Sequence, residues 1–600
     1  MSLRTFVRSR KLTGALAVTS VAALSVAGVV ASGATANAAP GCRVAYSITN
    51  QWQGGFGASV TVTNLGDAIS GGWTLEWDFA AGQTVQSGWN GVFSQSGSRV
   101  TVRNPSWSPN LGTGTSVTPG FNGSWTGSNP VPAQFRLNGT VCTGDVVPTS
   151  TTTSTSTSTT TTTTGNPNPG TRVDNPYVGA GVYVNPQWAA RARAESGGSR
   201  IANQPTGVWM DRISAIDGNG SPTTGTMGLA NHLDEAVTQL SANPNGQLVF
   251  QVVIYNLPGR DCAALASNGE LGPNDIGRYR TEYIDKIAGI LARPAYARLR
   301  IVAVIEIDSL PNLVTNVSPR ATATANCDTM KANQNYQNGV AYAVSKLGDI
   351  PNVYNYLDSG HHGWIGWSDP VPEYDNFQAS ARMMASVIGR EGATKDDVHG
   401  FITNTANYSV LEEPFWKVDD VVGGRPVKEV SKWVDWNDHN GELSFATAFR
   451  DELIKNGFNS NIGMLIDTSR NGWGGSARPT AKSTSTDPTT YVNESRIDRR
   501  IQKGNWCNQS GAGLGERPKA APRPNIDAYV WIKPPGESDG SSTQIPNDEG
   551  KGFDRMCDPT YTGNPRNGNN LSGALANAPL SGHWFSAQFQ ELMRNAYPAL

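Results

Sequence analysis

Leu248-Val-Phe-Gln-Val-Val-Ile-Tyr255 is an apolar run broken by one glutamine, and Asn256-Leu-Pro-Gly-Arg260-Asp261 follows it at once. Eight such residues stopped by Pro-Gly read as a short strand running into a polar turn. Similar runs recur at 207–210, 301–307, 353–357, 400–402, 462–466 and 528–532. Helical stretches lie between several of them, as at 279–291 and 335–347. Repeated strand–helix units of this size predict a parallel α/β barrel. Seven candidates is one short of eight, so the expected fold is a distorted, seven-stranded, TIM-like barrel.

Polar residues gather just after these strands. Arg260 and Asp261 follow the second, Asp308 and Ser309 end the third, and Asp358 and His361 follow the fourth. Asn404 and Asn407 follow the fifth, Asp467 ends the sixth, and Lys533, Glu537 and Asp539 follow the seventh. One carboxylate there could be a helix N-cap. A carboxylate after nearly every strand predicts an active site on the C-terminal face of the barrel. Tyr255, Trp364, Trp367, Trp473, Trp506 and Trp531 interleave with these acids. Trp531 lies within a strand and reads as packing, whereas Trp364 and Trp367 could line a cleft. Carboxylates beside aromatic platforms suit glycoside hydrolysis, where one carboxyl protonates the leaving oxygen and a second group activates water or attacks carbon. No phosphate-binding glycine loop and no Gly-x-Ser-x-Gly elbow competes.

Outward from this segment, residues 149–164 are nothing but Thr and Ser. Such a tract cannot bury a core, so it reads as a solvated tether, with 165–170 extending it to roughly 70 Å at ~3.3 Å per residue. The expected organisation is a leader over 1–38, a first module over 39–148, a linker over 149–170 and a second module over 171–600. Arg4, Arg8, Arg10 and Lys11, an apolar run to about Val30, and Ala36-Asn37-Ala38 make a secretory signal with a cleavage site. The rival is an uncleaved anchor helix. The formal net charge is −2 and 16% of residues are charged, which argues against a nucleic-acid binder. Six cysteines in a secreted chain predict disulfides. Cys42 and Cys142 bracket the first module, and nearest-neighbour pairing then gives Cys262–Cys327 and Cys507–Cys557. No CxxC or HExxH spacing supports a metal, and no cofactor is expected.

Residues 42–142 hold three acidic and four basic side chains but six Trp. Alternating apolar runs between Gly, Asn and Ser turns predict an all-β sandwich. Trp73 and Trp77 sit among strand residues and read as core. Trp52, Trp89 and Trp107 sit in polar, Gly-rich surroundings and suggest a flat exposed strip that stacks on sugar faces. The segment resembles the family 2 carbohydrate-binding modules, from Cys42 through Gly54-Gly-Phe56, Trp89-Asn90 and Trp107 to Leu137-Asn-Gly-Thr-Val-Cys142. That resemblance makes Trp52, Trp89 and Trp107 the platform for crystalline cellulose.

The second module resembles glycoside hydrolase family 6, and its bacterial cellobiohydrolases in particular. Tyr255-Asn-Leu-Pro-Gly-Arg-Asp-Cys262, Ile305-Glu-Ile-Asp-Ser-Leu310, Leu357-Asp-Ser-Gly-His361, Gly363-Trp-Ile-Gly-Trp367, Thr403-Asn-Thr-Ala-Asn-Tyr408, Asn505-Trp-Cys507 and Trp531-Ile-Lys-Pro-Pro-Gly-Glu-Ser-Asp-Gly540 carry it. The resemblance implies inversion at β-1,4-glucans, with Asp308 as acid and Asp261 as the companion that keeps it protonated. It implies that Tyr255 presses on a distorted ring, that Ser267 and Asp261 bracket the attacking water, and that Asp539 is the candidate base. Trp364, Trp367 and Trp506 fall on platforms, and Arg260, His361, Asn407, Lys533 and Glu537 on substrate contacts. Tyr183 stands where fungal members place a Trp, implying a smaller platform, and Ile307 replaces a common Pro.

The expected activity is therefore that of a secreted, end-acting cellulase, working from the non-reducing end by resemblance alone. Its partners would be crystalline and amorphous cellulose and cello-oligosaccharides, without nucleic acid or membrane, and it would act as a monomer. Long stretches at 411–440 and 541–556 beside the site read as lids over a tunnel. An open-cleft β-1,4-endoglucanase is the alternative, and a non-catalytic adhesion protein a more distant one.

Overall fold

A computed structural model describes residues 41–52, 54–106, 108–132, 134–142, 144–148, 172–219, 225–242, 246–371 and 375–600. The leader read over 1–38, the tether over 149–170 and Trp107 lie outside the described residues, as does the side chain of Trp52. The chain divides into two compact units, Met1–Thr162 and Thr163–Leu600.

The second unit is organised by one sheet. Its strands are β1 (Ala180–Val182), β2 (Val208–Met210), β3 (Gln247–Ile254), β4 (Leu299–Ile305), β5 (Val353–Asp358), β6 (Gly400–Thr403), β7 (Gly463–Asp467), β8 (Lys519–Arg523) and β9 (Ile526–Val530). The spatial order is β1-β3-β4-β5-β6-β7-β9-β8, with β2 also on β3. All pairs are parallel except β8 with β9. β1 pairs with the start of β3 (Ala180 opposite Gln247), and β2 with its end (Met210 opposite Ile254). All seven strands read from sequence are present, β1 and β8 in addition.

These strands are apolar on both faces because both faces are covered. Phe250, Val252 and Ile254 of β3 point out to helices such as Leu229–Ser241 and Asn335–Gly348. Leu229, Leu233, Ala236 and Leu240 bury one stripe of the first helix at the three- and four-residue spacing that such packing needs. The alternate residues Val249 and Val253 join Val302, Val304, Tyr354, Tyr356, Ile402, Leu465, Ala528 and Val530 in one inner cluster. A sheet whose successive strands feed a shared inner cluster is curled. Its two ends approach where Gly207 N–H donates to Trp531 O (3.0 Å) and Trp209 Nε1 to Ile532 O (2.9 Å). A Cβ at Gly207 would come within 2.6 Å of Ile532 O, so only glycine permits this approach.

In the first unit every regular element among the described residues is a strand. One sheet runs Gly144–Pro148, Cys42–Trp52, Gly55–Asn64, Gly120–Ser124, Thr84–Trp89, and Ser116–Val117 also pairs with Gly55–Asn64. The other runs Thr140–Val141, Phe135–Leu137, Thr74–Asp78, Arg99–Arg103, Val92–Ser96. Val44, Tyr46, Phe56 and Phe121 of the first sheet and Leu75, Trp77, Val100 and Phe135 of the second form one core. Trp73 and Trp77 are buried, as read from sequence. Trp89 is 46% exposed, and its indole lies so close over Gly120 that a Cβ there would be 2.5 Å away. Three disulfides, Cys42–Cys142, Cys262–Cys327 and Cys507–Cys557, match the expected pairing.

Candidate active site

The C-terminal ends of the strands bring the acids together. Tyr255 follows β3, Asp308 lies three residues past β4, and Asp358 ends β5. The Tyr255 hydroxyl donates to Asp261 Oδ2, and Trp209 of β2 meets the Tyr255 ring edge-on, centroids 5.3 Å apart. Asp261 Oδ1 accepts no hydrogen bond. Asp358 Oδ2 accepts from the backbone N–H groups of Asp308 (3.1 Å) and Gly360 (3.2 Å). Asp261, Glu306 and Asp308 all have positive φ, 53°, 49° and 55°. Non-glycine residues in that region are costly and cluster where a side chain must be aimed.

Burial and mutual repulsion set the protonation of this group. Burial pushes Asp261 up to about 6 against the pull of Arg260, and Asp358 up to about 7. Asp308 stands well above the usual carboxylate range, through burial first and then through Asp358, Asp261 and Asp539. Nearby Glu306, raised by burial to about 7, accepts from Tyr279 and from two loop N–H groups, so it supports the turn.

Asp539 is in a different environment. Arg470 Nη1 reaches both of its oxygens (2.8 and 2.9 Å), and Oδ2 also accepts from the Tyr408 hydroxyl (2.6 Å) and Asn508 N–H (2.8 Å). Lys533 Nζ stands 3.8 Å from Oδ1 and donates to Ser538 O. The main partner is therefore Arg470, which no sequence signal singles out, and not Lys533 or Glu537. Arg470 is itself buried over the Tyr408 ring, 4.1 Å from its centroid. Glu537 is half-buried beside the site, and burial raises its carboxyl.

Two residues expected at the substrate do other work in the structure. Arg260, read as a substrate contact, is buried and gives its donors to the carbonyls of Asp211, Tyr255, Ser267 and Asn268. It therefore shapes the loop that carries Asp261 and Ser267. Tyr183, read as a small platform, is 1% exposed with its hydroxyl on His232 Nδ1, so it belongs to the core. Half-buried Trp209, against Tyr255, is the aromatic that β2 delivers instead. Trp473, one of the aromatics that interleave with the acids in the sequence, is fully buried.

Trp364, Trp367 and Trp506 are half-buried. Their positions are fixed by Trp364 Nε1 to Thr315 Oγ1 (2.7 Å), Trp367 Nε1 to Asp435 O (2.6 Å), and packing of Trp506 on the Cys507–Cys557 disulfide. His361 Nδ1 pairs with Ser409 Oγ (3.0 Å), and Arg500 joins that hydroxyl to Asn407 Oδ1 (both 2.9 Å). Burial holds His361 neutral, its pKa well below the ordinary value.

Two segments border the site. The 541–556 stretch binds the loop after β3 and the end of β2: Leu265 N–H donates to Asp554 (3.0 Å), Lys551 pairs with Asp211 (3.0 Å), and Glu549 pairs with Arg212 (3.1 Å). The 411–440 stretch is no loose lid. Trp416, Val427, Trp433 and Val434 pack with Tyr491 and Val492 in a small core of their own. Among the described residues no group of three or more His, Cys, Asp and Glu is arranged to hold a metal ion, and no helix is long and apolar enough to cross a membrane.

Comparison with known proteins agrees with this geometry. The model of a cellulose binding domain matches residues 42–142, and that of glycosyl hydrolases family 6 matches 172–596. Exoglucanase A of Cellulomonas fimi is 49% identical over 446 residues, which are 71% of this chain and 49% of that protein. This chain thus spans about half the length of that relative. The 1,4-beta-D-glucan cellobiohydrolase CEL6C of Podospora anserina is 33% identical, over 68% of this chain and 81% of its own. Among solved structures, the catalytic domain of Cellulomonas fimi Cel6B superposes with a TM-score of 0.67 at 49% identity, covering 72% of this chain and 97% of that one. A family match that spans well over half of the residues, on a fold with these acids at its strand ends, makes the chain a member of glycosyl hydrolases family 6.

Proposed function

We propose that the protein is a secreted cellobiohydrolase that releases cellobiose from cellulose chain ends, from the non-reducing end, with inversion. Residues 1–38 are its leader, 39–148 its cellulose-binding module, 149–170 its tether and 171–600 its catalytic domain. In this reading the first unit is a β-sandwich and the curled sheet is a seven-stranded barrel, distorted where β1 and β2 share one position beside β3. It works as a monomer on crystalline and amorphous cellulose and on cello-oligosaccharides, the names of its relatives pointing the same way.

The observation that carries the end-acting part is the bonding of 541–556 across to Leu265, Asp211 and Arg212. A segment that leaves the chain just after Asp539 and is bonded to the loop that carries Asp261 is read as a roof over the acids, and a roof admits a chain by threading. Asp308, held protonated by burial and then by its like-charged neighbours, donates to the glycosidic oxygen. Tyr255 bears on the sugar at the cleavage point, with Trp364, Trp367 and Trp506 as platforms and His361, Asn407, Lys533 and Glu537 at their edges. Asp539 has one uncommitted lone pair, on Oδ1. The attacking water accordingly loses its proton along Ser267 to the free Oδ1 of Asp261, and Asp539 supplies negative charge.

Product analysis tests the whole reading. Cellobiose from crystalline cellulose, with little viscosity loss on soluble substituted cellulose, is the expected result. Rapid viscosity loss would assign the enzyme to the internal cutters, and no soluble sugar at all would leave only a binding protein.

A further inference from the structure

The turn at 434–438 does nothing in the chemistry described so far, yet it is tightly constrained beside the Trp364–Trp367 segment. Asp435 and Trp436 are consecutive non-glycine residues with φ of 48° and 65°. A bulky side chain in the left-handed region is an outlier that persists only where its surroundings over-determine it. They do so here. Asp435 N–H donates to Ser431 O (2.9 Å), Trp436 N–H to Lys428 O (3.0 Å) and Asn437 N–H to Val434 O (3.0 Å). Asn437 Nδ2 donates to His362 O (2.8 Å), Asp438 N–H to Gly366 O (3.0 Å), and Ser368 N–H to Asp438 Oδ2 (2.8 Å). Lys503 Nζ, 5.0 Å from the Trp367 ring, donates to Val434 O (3.1 Å). None of these bonds uses the Trp436 indole, which is 53% exposed.

The peptide between Asp435 and Trp436 is held by the Trp367 indole, whose Nε1 donates to Asp435 O. The turn is thus welded to the 362–368 segment that carries Trp364 and Trp367, and Trp436, with its exposed indole, directly follows the carbonyl that Trp367 bonds. We infer that Trp436 is a further sugar platform, one position outward from Trp367, stacking on a glucosyl unit of a β-1,4-glucan chain already seated on Trp367. The proposal rests on the reading of Trp367 as a platform. Its chemistry is that of an exposed indole face against the C–H face of a pyranose. The strain gives the reason for a fixed turn: a platform acts only if it is aimed before the sugar arrives.

Steady-state hydrolysis of cellotetraose and cellohexaose by the full chain tests this. Trp436→Ala should raise KM for the hexamer by about three- to tenfold, and KM for the tetramer by less than about twofold. Trp436→Phe should recover most of the difference. Trp436→Gly should show the same loss on the hexamer while melting no lower than the parent, since glycine accepts the backbone without strain. Equal changes on both oligomers, or none on either, would overturn the proposal, as would a lower melting temperature for the glycine variant, which marks the indole as packing. A parent that hydrolyses neither oligomer would instead overturn the cellulase reading, and this proposal with it.

Discussion

Asp308, the proposed acid, has carboxylate neighbours that arrive from distant parts of the chain, and variants should reveal what each does. Asp308→Ala should lower cellulose hydrolysis by about 10²–10⁴-fold. A glycoside with an acidic phenol leaving group should lose far less, because that oxygen needs little protonation; equal losses would reject the assignment. The pH profile has a definite sign. A donor raised by burial and by Asp358 keeps its proton above the ordinary carboxylate range, so activity should fall only as pH rises past that range. Asp358→Asn removes one like charge, lowers the Asp308 pKa and moves the basic limb to lower pH. Stability gives a second check. Asp358 goes from an unfolded value of about 3.9 to about 7 when folded, so the native state holds the extra proton between them. Stability contributed by that group is lost as pH rises from about 4 to 7, and thermal melts of Asp358→Asn across this window should show a shallower decline. Azide tests the water's proton route: if it restores Asp539→Ala, Asp539 is the base after all. Asp261, Asp308 and Asp539 are legible in the sequence because each follows an apolar run. Arg470 is not, since an arginine past β7 shows nothing of its reach to Asp539. Asp358 is visible at its strand end, but its hydrogen bond to the Asp308 backbone is not written locally. Tyr183 misleads because β1 is too short to show which way its neighbours face.

At the scale of elements, the apolar runs locate seven strands, since a strand covered on both faces must be apolar throughout. Ala180-Gly-Val182 is too short for that signal, and Lys519-Ala-Ala-Pro-Arg523 lies exposed at the sheet's edge, where apolar residues are not required. The 411–440 stretch reads as irregular because its core borrows Tyr491 and Val492 from far along the chain. The 541–556 segment, proposed as a roof, is the element whose removal is most informative. Shortening it, with Cys507–Cys557 kept, should raise viscosity loss per bond cut on soluble substituted cellulose and lower cellobiose yield from crystalline cellulose. Activity on a short oligosaccharide should change much less, because access is altered and the acids are not. An unchanged ratio of soluble to insoluble reducing ends would remove 541–556 from the role of roof. Cys507→Ser with Cys557→Ser opens a 50-residue loop and should cost about 4 kcal/mol of stability, measurable by denaturant unfolding.

Across the whole molecule, the two units have separate cores, and adsorption should separate from turnover. Trp89→Ala should weaken binding to crystalline cellulose, with rates on soluble substrate unchanged; undiminished adsorption of the folded variant would remove Trp89 from the platform. The third disulfide has a consequence for how the chain ages. A protease cutting within 541–556 would sever the roof, yet Cys557 would still hold the trailing 44 residues to Cys507, and the helix Ser586–Arg594 would stay packed in the body. Such a nicked enzyme would migrate at full mass on a denaturing gel until a thiol released the short piece. An aged preparation would then hold two forms of one apparent size, an intact one and a clipped one that, with 541–556 as the proposed roof, would bite into the middle of chains.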